Sequence, residues 1–410
     1  MREELKPLRH RISRALSGTD PSEEELYRHI DGELDLLGRC RRLGVAEKAA
    51  LRKELFDSFR GMDILQPALE DPEVTEIMVN GLEGIYLEKG GSLCRWDRRF
   101  QDRETLEEVI QLMAASVNRT VNTSSPIADL RLPDGSRVNA VLPPAAPEGP
   151  VLTVRKFYRE PLTMEKLRQM GSISREAEHF LAAAVRAGMN IFISGGTGSG
   201  KTTFLNALSA YIPEEERVIT IEDSLELKLQ GLPDLVRLEC REANAEGEGR
   251  IGIRDLIRTA LRMRPNRIIV GEVRGAEALD MLQAMNTGHR GSLSTGHANS
   301  ARDMLARLET MVLMGGELPL RAVRSQIASA LELMVHLGRT RDGRRRVLSV
   351  DEICGMEQGE ICCESIYRYE AGVGLVWTGK ELTRREKWRE CYGCEPTFDA
   401  QGRFLGAGDG

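Results

Sequence analysis

Apolar residues recur every three or four positions in the first 63 residues, and this spacing predicts amphipathic helices. One stripe is formed by Leu26, Ile30, Leu34 and Leu37, and a second by Leu51, Leu55 and Phe59. The positions between these residues are rich in charge. We therefore predict a helical N-terminal segment over residues 1–63, which forms either a solvated accessory bundle or a docking surface for a partner.

Between residues 64 and 157 the hydrophobic pattern changes from the period of a helix to that of a strand. Strands are predicted at 76–79, 85–88, 128–132, 137–142 and 151–157, and a helix at 103–118. Asn80-Gly81 and Pro133-Asp134-Gly135 lie between strand pairs and are typical of tight turns. The pattern predicts a small α+β domain over residues 64–157, followed by a linker over residues 158–171.

Strands and helices alternate from residue 172 to about residue 355. Apolar strands are predicted at 191–193, 217–221, 267–270 and 292–295. Helices are predicted at 174–187, 203–211, 253–263, 276–285 and from Pro319 to about Leu333. Because apolar strands that alternate with helices form parallel sheets covered on both faces, we predict an α/β domain over residues 172–355.

A terminal hairpin is predicted at 334–337 and 347–353, with Asp342-Gly343 in its turn. The arginines around this turn are most typical of a solvated face. They are Arg339, Arg341, Arg344, Arg345 and Arg346. Residues 356–410 are treated as a C-terminal extension, because their pattern supports no firm assignment.

A glycine-rich loop joins the apolar strand at 191–193 to the helix that follows it. Its sequence, GGTGSGKTT over residues 195–203, satisfies the pattern G-x-x-x-x-G-K-[ST] of a P-loop. Glycines let the backbone wrap closely around a phosphate, and the following helix adds partial positive charge. We expect Lys201 to reach the β and γ phosphates and the Thr202 hydroxyl to hold Mg²⁺. The predicted nucleotide-binding residues are Gly195, Gly196, Thr197, Gly198, Ser199, Gly200, Lys201, Thr202 and Thr203.

Carboxylates follow two of the predicted strands. Glu222, with Asp223 and Glu226, comes after the strand at 217–221, and Glu272 comes after the strand at 267–270. Ligands of parallel sheets collect beyond the carboxyl ends of the strands, so both clusters are expected near the P-loop. We predict that Glu222 and Glu272 join Thr202 in the Mg²⁺ shell, partly through water, and that Glu272 holds the metal or polarises the attacking water.

Two histidines lie around the strand at 292–295. His297 follows the carboxyl end of this strand and is predicted to sense the γ-phosphate. For His289 a structural role and a functional one are equally compatible with the sequence.

Composition narrows the classes of function. The hydrophobic fraction of 41% and charged fraction of 29% are those of a folded globular protein. The net charge of -6 disfavours wholesale binding to nucleic acid. The charged N-terminus predicts no secretory signal, and the chain has no uncharged apolar run near ~18 residues that would span a membrane. We expect a cytosolic chain whose eight cysteines are reduced.

Taken together, the motifs resemble those of the secretion ATPases of type II, type IV pilus and type IV systems, most closely the CpaF branch. The match covers roughly residues 64–350. In the nucleotide-binding part it is formed by GGTGSGKTT (195–203), TIEDSLEL (220–227), IIVGEVRG (268–275) and MLQAMNTGHRGSLSTGHANS (281–300). Upstream it is formed by TEIMVNG (75–81), LRLPDGSRVNAVLPP (130–144) and TVRKF (153–157). Gly271, where other P-loop proteins often have Asp, is normal in this family.

The resemblance implies a homohexamer in which a small PAS-like domain is flexibly joined to a RecA-like ATPase domain, with ATP bound between the two. It also implies that arginines of the small domain complete the site. By position these are Arg131 and Arg137, with Arg155 as a further nucleotide contact; a solvated strand face is the alternative for them.

The implied function is ATP hydrolysis, with ATP and Mg²⁺ as cofactors, that powers assembly of a Tad/Flp-type pilus or secretion. Inner-membrane platform proteins would hold the hexamer at the cytoplasmic face of the cell membrane, and no direct nucleic-acid partner is expected. The alternatives are a conjugation-type secretion ATPase, a RecA-like nucleic-acid translocase and a nucleotide-binding scaffold without hydrolysis. The acidic charge weighs against the translocase, and Lys201, Glu222 and Glu272 weigh against the scaffold.

Pilus-extension and type II relatives often carry a four-cysteine zinc module. In this chain only Cys391 and Cys394 have ligand spacing, and Cys354, Cys362 and Cys363 are the residues available to supplement them. Reduced structural thiols are the expectation, and a zinc site is the alternative.

Overall fold

In the computed structural model the chain divides into two units, residues 1–159 and residues 160–410. The structure describes residues 5–16, 21–100, 102–156, 162–241 and 248–405. Each unit has its own hydrophobic core. Across the described ranges, no helix combines the length and the apolar character needed to cross a bilayer.

Three helices begin the first unit: α1 (Lys6–Ala15), α2 (Glu23–Cys40) and α3 (Val45–Arg60). Their apolar stripes pack against one another, and this confirms the predicted helical pattern. Helix α2 begins with a capping box, in which Ser22 Oγ accepts from the Glu25 N–H and the Glu25 carboxylate accepts from the Ser22 N–H. This pair satisfies backbone groups that the first turn of a helix leaves without partners.

The rest of the first unit is a sheet covered on one face by helices. Helix α4 (Gln66–Glu70) precedes the sheet, and helix α5 (Arg103–Ala115) packs on it. The strands are β1 (Val74–Asn80), β2 (Gly84–Lys89), β3 (Ser92–Arg95), β4 (Ile127–Arg131), β5 (Arg137–Val141) and β6 (Val151–Arg155). Their order is β3-β2-β1-β6-β5-β4, and all neighbours run antiparallel. Strand β3 was not predicted, because all four of its residues are exposed and give no alternation.

The second unit is built on a nine-stranded sheet. Its parallel strands are β7 (Ile191–Gly195), β8 (Val218–Glu222), β9 (Leu235–Glu239), β10 (Arg267–Val270), β11 (Leu293–His297) and β12 (Leu333–Arg339). Its antiparallel strands are β13 (Arg345–Glu357), β14 (Glu360–Glu370) and β15 (Gly374–Trp377). The order is β15-β14-β13-β12-β7-β11-β10-β8-β9. This parallel-rich sheet confirms the predicted α/β class.

Helices cover both faces of this sheet, as the apolar strands require. One core contains residues of α6 (Met164–Gln169), α7 (Arg175–Arg186), α8 (Lys201–Ser209) and α13 (Glu386–Tyr392). The other contains residues of α9 (Ile253–Ala260), α10 (Glu277–Asn286), α11 (Ala301–Gly315) and α12 (Leu320–Ala330). The central strand β7 contributes side chains to both cores. This packing holds the end of the strand in place, and the glycine-rich loop begins there.

The linker predicted over residues 158–171 is partly wrong. Residues 157–161 lie outside the described ranges, but α6 occupies the second half of the segment. The Thr163 side chain caps this helix by accepting from the Lys166 N–H, and Met164 and Leu167 are buried in the second unit's core. The helix was not predicted because it is only six residues long and lies between residues that are typical of turns.

The extension over residues 356–410 belongs to the second unit. It supplies the end of β13 and all of β14 and β15. Farther along, Trp388 and Phe404 pack on Phe180 of α7, with ring centroids 5.6 and 5.8 Å from it. In the described part of the chain all eight cysteines are free thiols, and no group of three or more potential ligands is placed to hold a metal ion.

Candidate functional site

The glycine-rich loop lies at the carboxyl end of β7 and leads directly into α8. Gly198 and Gly200 have φ values of 68° and 95°, which residues with side chains rarely adopt. A Cβ atom on Gly195 would lie 2.4 Å from the Leu337 carbonyl oxygen on β12. The loop is therefore held close to the neighbouring strand, and the predicted binding residues 195–203 all lie in this loop or the first turn of α8.

Lys201 is the first residue of α8, and its side chain is buried against the loop. Its Nζ donates to the carbonyl oxygens of Gly195, at 3.1 Å, and Gly196, at 3.0 Å. The same nitrogen lies 3.3 Å from Nδ1 of His297. A phosphate bound in the loop would compete with these carbonyls for the ammonium group, so the side chain has a resting position that it gives up on binding.

His297, the last residue of β11, connects Lys201 to Glu272. Its Nε2 lies 2.6 Å from Glu272 Oε1. Because Nδ1 faces the Lys201 ammonium, the ring proton is assigned to Nε2, which faces the carboxylate. Burial lowers the pKa of His297, although the Glu272 carboxylate opposes this shift, so the ring is neutral at neutral pH. The other oxygen of Glu272, Oε2, accepts from Arg274 Nη2 at 2.6 Å.

Glu222, the last residue of β8, is buried. Its Oε2 accepts from the backbone N–H groups of Glu226 and Leu227, at 2.7 and 2.9 Å. Its Oε1 is buried without a hydrogen-bond partner. Burial raises the pKa of Glu222 to about 7, against the effect of the two backbone donors. A buried carboxyl oxygen without a hydrogen-bond partner destabilises the fold unless a ligand or metal-bound water donates a hydrogen bond to it.

Gly271 stands immediately before Glu272, where other P-loop proteins often have an aspartate, and the structure shows why a side chain does not fit there. A Cβ atom at this position would lie 2.9 Å from Cγ of Glu222. Any larger residue would have to displace the Glu222 side chain, which is buried. The glycine and Glu222 therefore form a matched pair, and Glu222 occupies the space that a side chain at position 271 would need.

The donor set suits Mg²⁺, which in phosphoryl-transfer sites is held by one or two carboxylates together with substrate phosphates. Thr202 is the second residue of α8 and is half-buried. Glu222 Oε1 and Ser199 Oγ are both buried and have no hydrogen-bond partner. These hydroxyl and carboxylate oxygens are the hard ligands that the ion prefers.

The raised pKa of Glu222 predicts a pH-dependent stability. Folded protein holds the Glu222 proton up to about pH 7, whereas the unfolded chain loses it near the ordinary value of 4.5. Between these values the folded state binds more protons, so the free energy of unfolding falls as pH rises. We expect Glu222→Gln, which cannot ionise, to gain about 3 kcal/mol relative to wild type between about pH 5 and pH 8. Urea unfolding of both proteins across this range measures the effect, and a difference that does not change with pH would contradict it.

His289 lies away from this cluster. It precedes β11, whereas the P-loop and His297 lie at the carboxyl ends of their strands. Its Nδ1 is 3.2 Å from the carbonyl oxygen of Ala284 at the end of α10. This placement favours the structural role for His289.

The three predicted arginines of the first unit lie in one row across its sheet. Arg131 is directly opposite Arg137 on the neighbouring strand, and Arg137 is directly opposite Arg155. Their strands bury the alternate positions, so the row is on the face away from the core. Arg155 also pairs with Glu76 at 3.7 Å. The row places three positively charged side chains side by side, and the anion-binding role and the solvated face both stay predictions for it.

Two of the hairpin arginines that were predicted to form a solvated face are exposed, as predicted, and also lie beside the glycine-rich loop. Arg339 Nη2 lies 3.5 Å from the carbonyl oxygen of Gly198. Arg345 Cδ would lie 3.6 Å from a Cβ atom on Gly200. The reason is topological: β12 pairs in parallel with β7, so the hairpin begins at the edge of the sheet where the P-loop lies.

Sequence reasoning also missed two neighbours of the site. Arg274 bridges the two acidic clusters, because it pairs with Glu272 at 2.6 Å and with Asp223 at 3.7 Å. Its position two residues after Glu272 was the only signal for it in the sequence. His336 on β12 is buried and its Nδ1 lies 2.9 Å from Ser194 Oγ, one residue before the loop. Only the pairing of β12 with β7 brings these two residues together.

Comparisons with known proteins show the family to which the sequence is similar. The sequence profile of the family described as "Type II/IV secretion system protein" matches residues 60–384. A Mycobacterium tuberculosis protein named for conjugal transfer is 36% identical over 339 residues, covering 81% of this chain and 95% of that protein. The type IV secretion system protein PtlH of Bordetella pertussis is 35% identical over 319 residues, covering 70% of this chain and 93% of that protein.

Solved structures show the same fold. The DotB ATPase of Yersinia pseudotuberculosis aligns with a TM-score of 0.52 and 20% identity, covering 73% of this chain and 78% of that chain. The DotB ATPase of Legionella pneumophila aligns with a TM-score of 0.50 and 23% identity, covering 68% and 77%.

Proposed function

The chain belongs to the type II/IV secretion system protein family, and we propose that it hydrolyses ATP at its glycine-rich loop to drive a membrane-embedded machine. One observation carries this proposal. Lys201 contacts His297, and His297 contacts Glu272, so the phosphate-binding lysine and the candidate catalytic carboxylate are joined through a single neutral imidazole. A nucleotide-binding scaffold without hydrolysis would have no need for this arrangement.

The residues of the site divide the work of phosphoryl transfer to water. Lys201 moves from the loop carbonyls to the β and γ phosphates, and Glu272 orients and polarises a water in line with the γ-phosphate. Thr202 and Glu222 would hold Mg²⁺, partly through water, and the ion would neutralise charge on the phosphates. His297 lies between Lys201 and Glu272, and we propose that it senses the γ-phosphate from this position. No covalent intermediate is required.

Arg131, Arg137 and Arg155 are proposed to contribute charge to the same reaction. The transition state spreads negative charge over the oxygens of the transferred group, and arginines that contact it contribute ~10³ to 10⁵ in rate. The row across β4, β5 and β6 supports this role, because it places three guanidinium groups on one face of the sheet, where they can contact the same anion.

The proposed assembly is a homohexamer at the cytoplasmic face of a cell membrane, docked on inner-membrane platform proteins of a Tad/Flp-type pilus or secretion system. Opening and closing of the domains around each nucleotide would be the output of hydrolysis. A conjugation-type secretion ATPase is the second candidate, and the relative of Mycobacterium tuberculosis that is named for conjugal transfer favours it.

The partner class is tested by stimulation of ATP turnover. We expect membranes that carry the platform proteins to raise the turnover of the purified chain, because a motor is coupled to its load. Membranes from cells that lack the platform genes are the matched control. Stimulation by single-stranded DNA and not by platform membranes would instead support a nucleic-acid translocase.

A further inference from the structure

The order of strands assigns the two ends of a bound nucleotide to opposite sides of β7. Glu222, Glu272 and His297 follow or end β8, β10 and β11, which lie on one side of β7. On the proposed function, the γ-phosphate lies toward these residues. Because a triphosphate extends along the loop, the nucleoside lies on the other side, where β12 and β13 form the hairpin.

Two arginines lie on that side, at the open end of the hairpin. Arg339 is the last residue of β12, and Arg345 directly opposite it is the first residue of β13. Arg339 Nη2 would lie 3.3 Å from a Cβ atom on Gly198. Both arginine side chains therefore lie against glycines of the loop, and both residues remain exposed to solvent.

The backbone of the hairpin is fixed relative to the loop. Leu337 packs against Gly195, where even a Cβ atom would collide with its carbonyl oxygen. Ser172 Oγ donates to the Arg345 carbonyl oxygen at 2.9 Å, and the Val347 N–H donates to the Ser172 carbonyl oxygen at 2.8 Å. A site held on paired strands keeps its geometry better than one on a free loop.

We propose that Arg339 and Arg345 bind the nucleoside monophosphate part of the nucleotide, which comprises the α-phosphate, ribose and base. The proposal rests on nucleotide binding at the P-loop and adds residues of the same unit to it. A guanidinium group can donate two hydrogen bonds to phosphate oxygens and can stack on the face of an aromatic ring, so it suits both the α-phosphate and the base. Lys201 binds the β and γ phosphates, and the hairpin arginines bind the α-phosphate, ribose and base, which are present in both ATP and ADP.

The test compares ligands that contain this part with one that lacks it. Isothermal titration of ADP, ATP and inorganic tripolyphosphate is carried out on wild type, Arg339→Ala, Arg345→Ala and Arg341→Ala. We expect each of the first two variants to weaken ADP and ATP equally, by at least about tenfold, and tripolyphosphate by less than about threefold. Arg341→Ala removes the same charge from the turn of the same hairpin and is expected to bind all three ligands like wild type.

Three results would overturn the proposal: unchanged ADP affinity in both variants, tripolyphosphate weakened as much as ADP, or lost turnover with unchanged ADP affinity. The last would place the arginines at the transferred phosphate. Thermal unfolding of each variant shows that the fold is retained, and Arg339→Lys, which keeps the charge without the forked donor, is expected to bind ADP with intermediate affinity. Failure of the proposed function is distinguishable, because the wild-type chain would then bind neither ADP nor ATP, or would bind both and release no phosphate from ATP.

Discussion

Replacement of Lys201 by alanine is expected to abolish ATP turnover, lowering it by about 10³-fold or more. The ammonium group is the buried cation at the glycine-rich loop, and no other residue of the loop carries positive charge. Its loss leaves the charge that develops on the β and γ phosphates without a partner inside the loop. Phosphate release and ATP binding by the purified variant measure the effect.

Lys166→Ala is the matched control for this variant, because Lys166 is exposed on α6 and has no role in the site. It is expected to turn over ATP like wild type. Thermal unfolding of Lys201→Ala separates a chemical effect from a loss of structure. Turnover at near wild-type rate in a folded Lys201→Ala protein would remove the loop from the mechanism.

Glu272→Gln is expected to keep ATP binding within about threefold of wild type while turnover falls by ~10² to 10⁴-fold. Glutamine has nearly the same shape, so its carbonyl oxygen still accepts from Arg274. It has no negative charge with which to polarise a water. The protein should therefore accumulate with ATP bound, which equilibrium binding and chemical quench measure on the same sample.

Glu317→Gln removes an exposed carboxylate far along the chain from the site and serves as the control for Glu272→Gln. Loss of ATP binding in Glu272→Gln, with hydrolysis of the residual bound ATP at the wild-type rate, would show that Glu272 holds the nucleotide and does not act on the water.

The parts of this site that can be predicted from the sequence are those that belong to short, contiguous sequence motifs. The loop at 195–203 is recognised as a P-loop from the sequence alone, because its glycines, lysine and threonine stand at fixed spacing between a strand and a helix. Glu222, Glu272 and His297 are predictable because each lies at or next to the carboxyl end of a parallel strand, and such ends meet at one edge of the sheet.

The parts that escaped prediction depend on which strands are neighbours. Arg339 and Arg345 look like a solvated charge cluster until β12 is known to pair with β7, from which about 140 residues separate it. Gly271 looks like a missing acid until Glu222 is known to fill the space beside it. Hydrophobic periodicity reports which face of an element is buried, but it does not report which element lies alongside.

Weak patterns account for the missed elements. Strand β9 is an edge strand of the second sheet, and none of its five residues is fully buried, so it lacks both alternation and an apolar run. Strand β15 is the other edge strand of this sheet, and it and its neighbour β14 are largely half-buried. Edge strands of this kind take their structure from pairing with a neighbour, which the local sequence does not encode.

Steady-state phosphate release from ATP, measured together with nucleotide binding on wild type, Lys201→Ala and Glu272→Gln, tests most directly whether the chain hydrolyses ATP at this loop. We expect that wild type binds ATP and releases phosphate, that Glu272→Gln binds ATP without release, and that Lys201→Ala releases none. Equal phosphate release by the three proteins would contradict it, because the reaction would then take place without either residue.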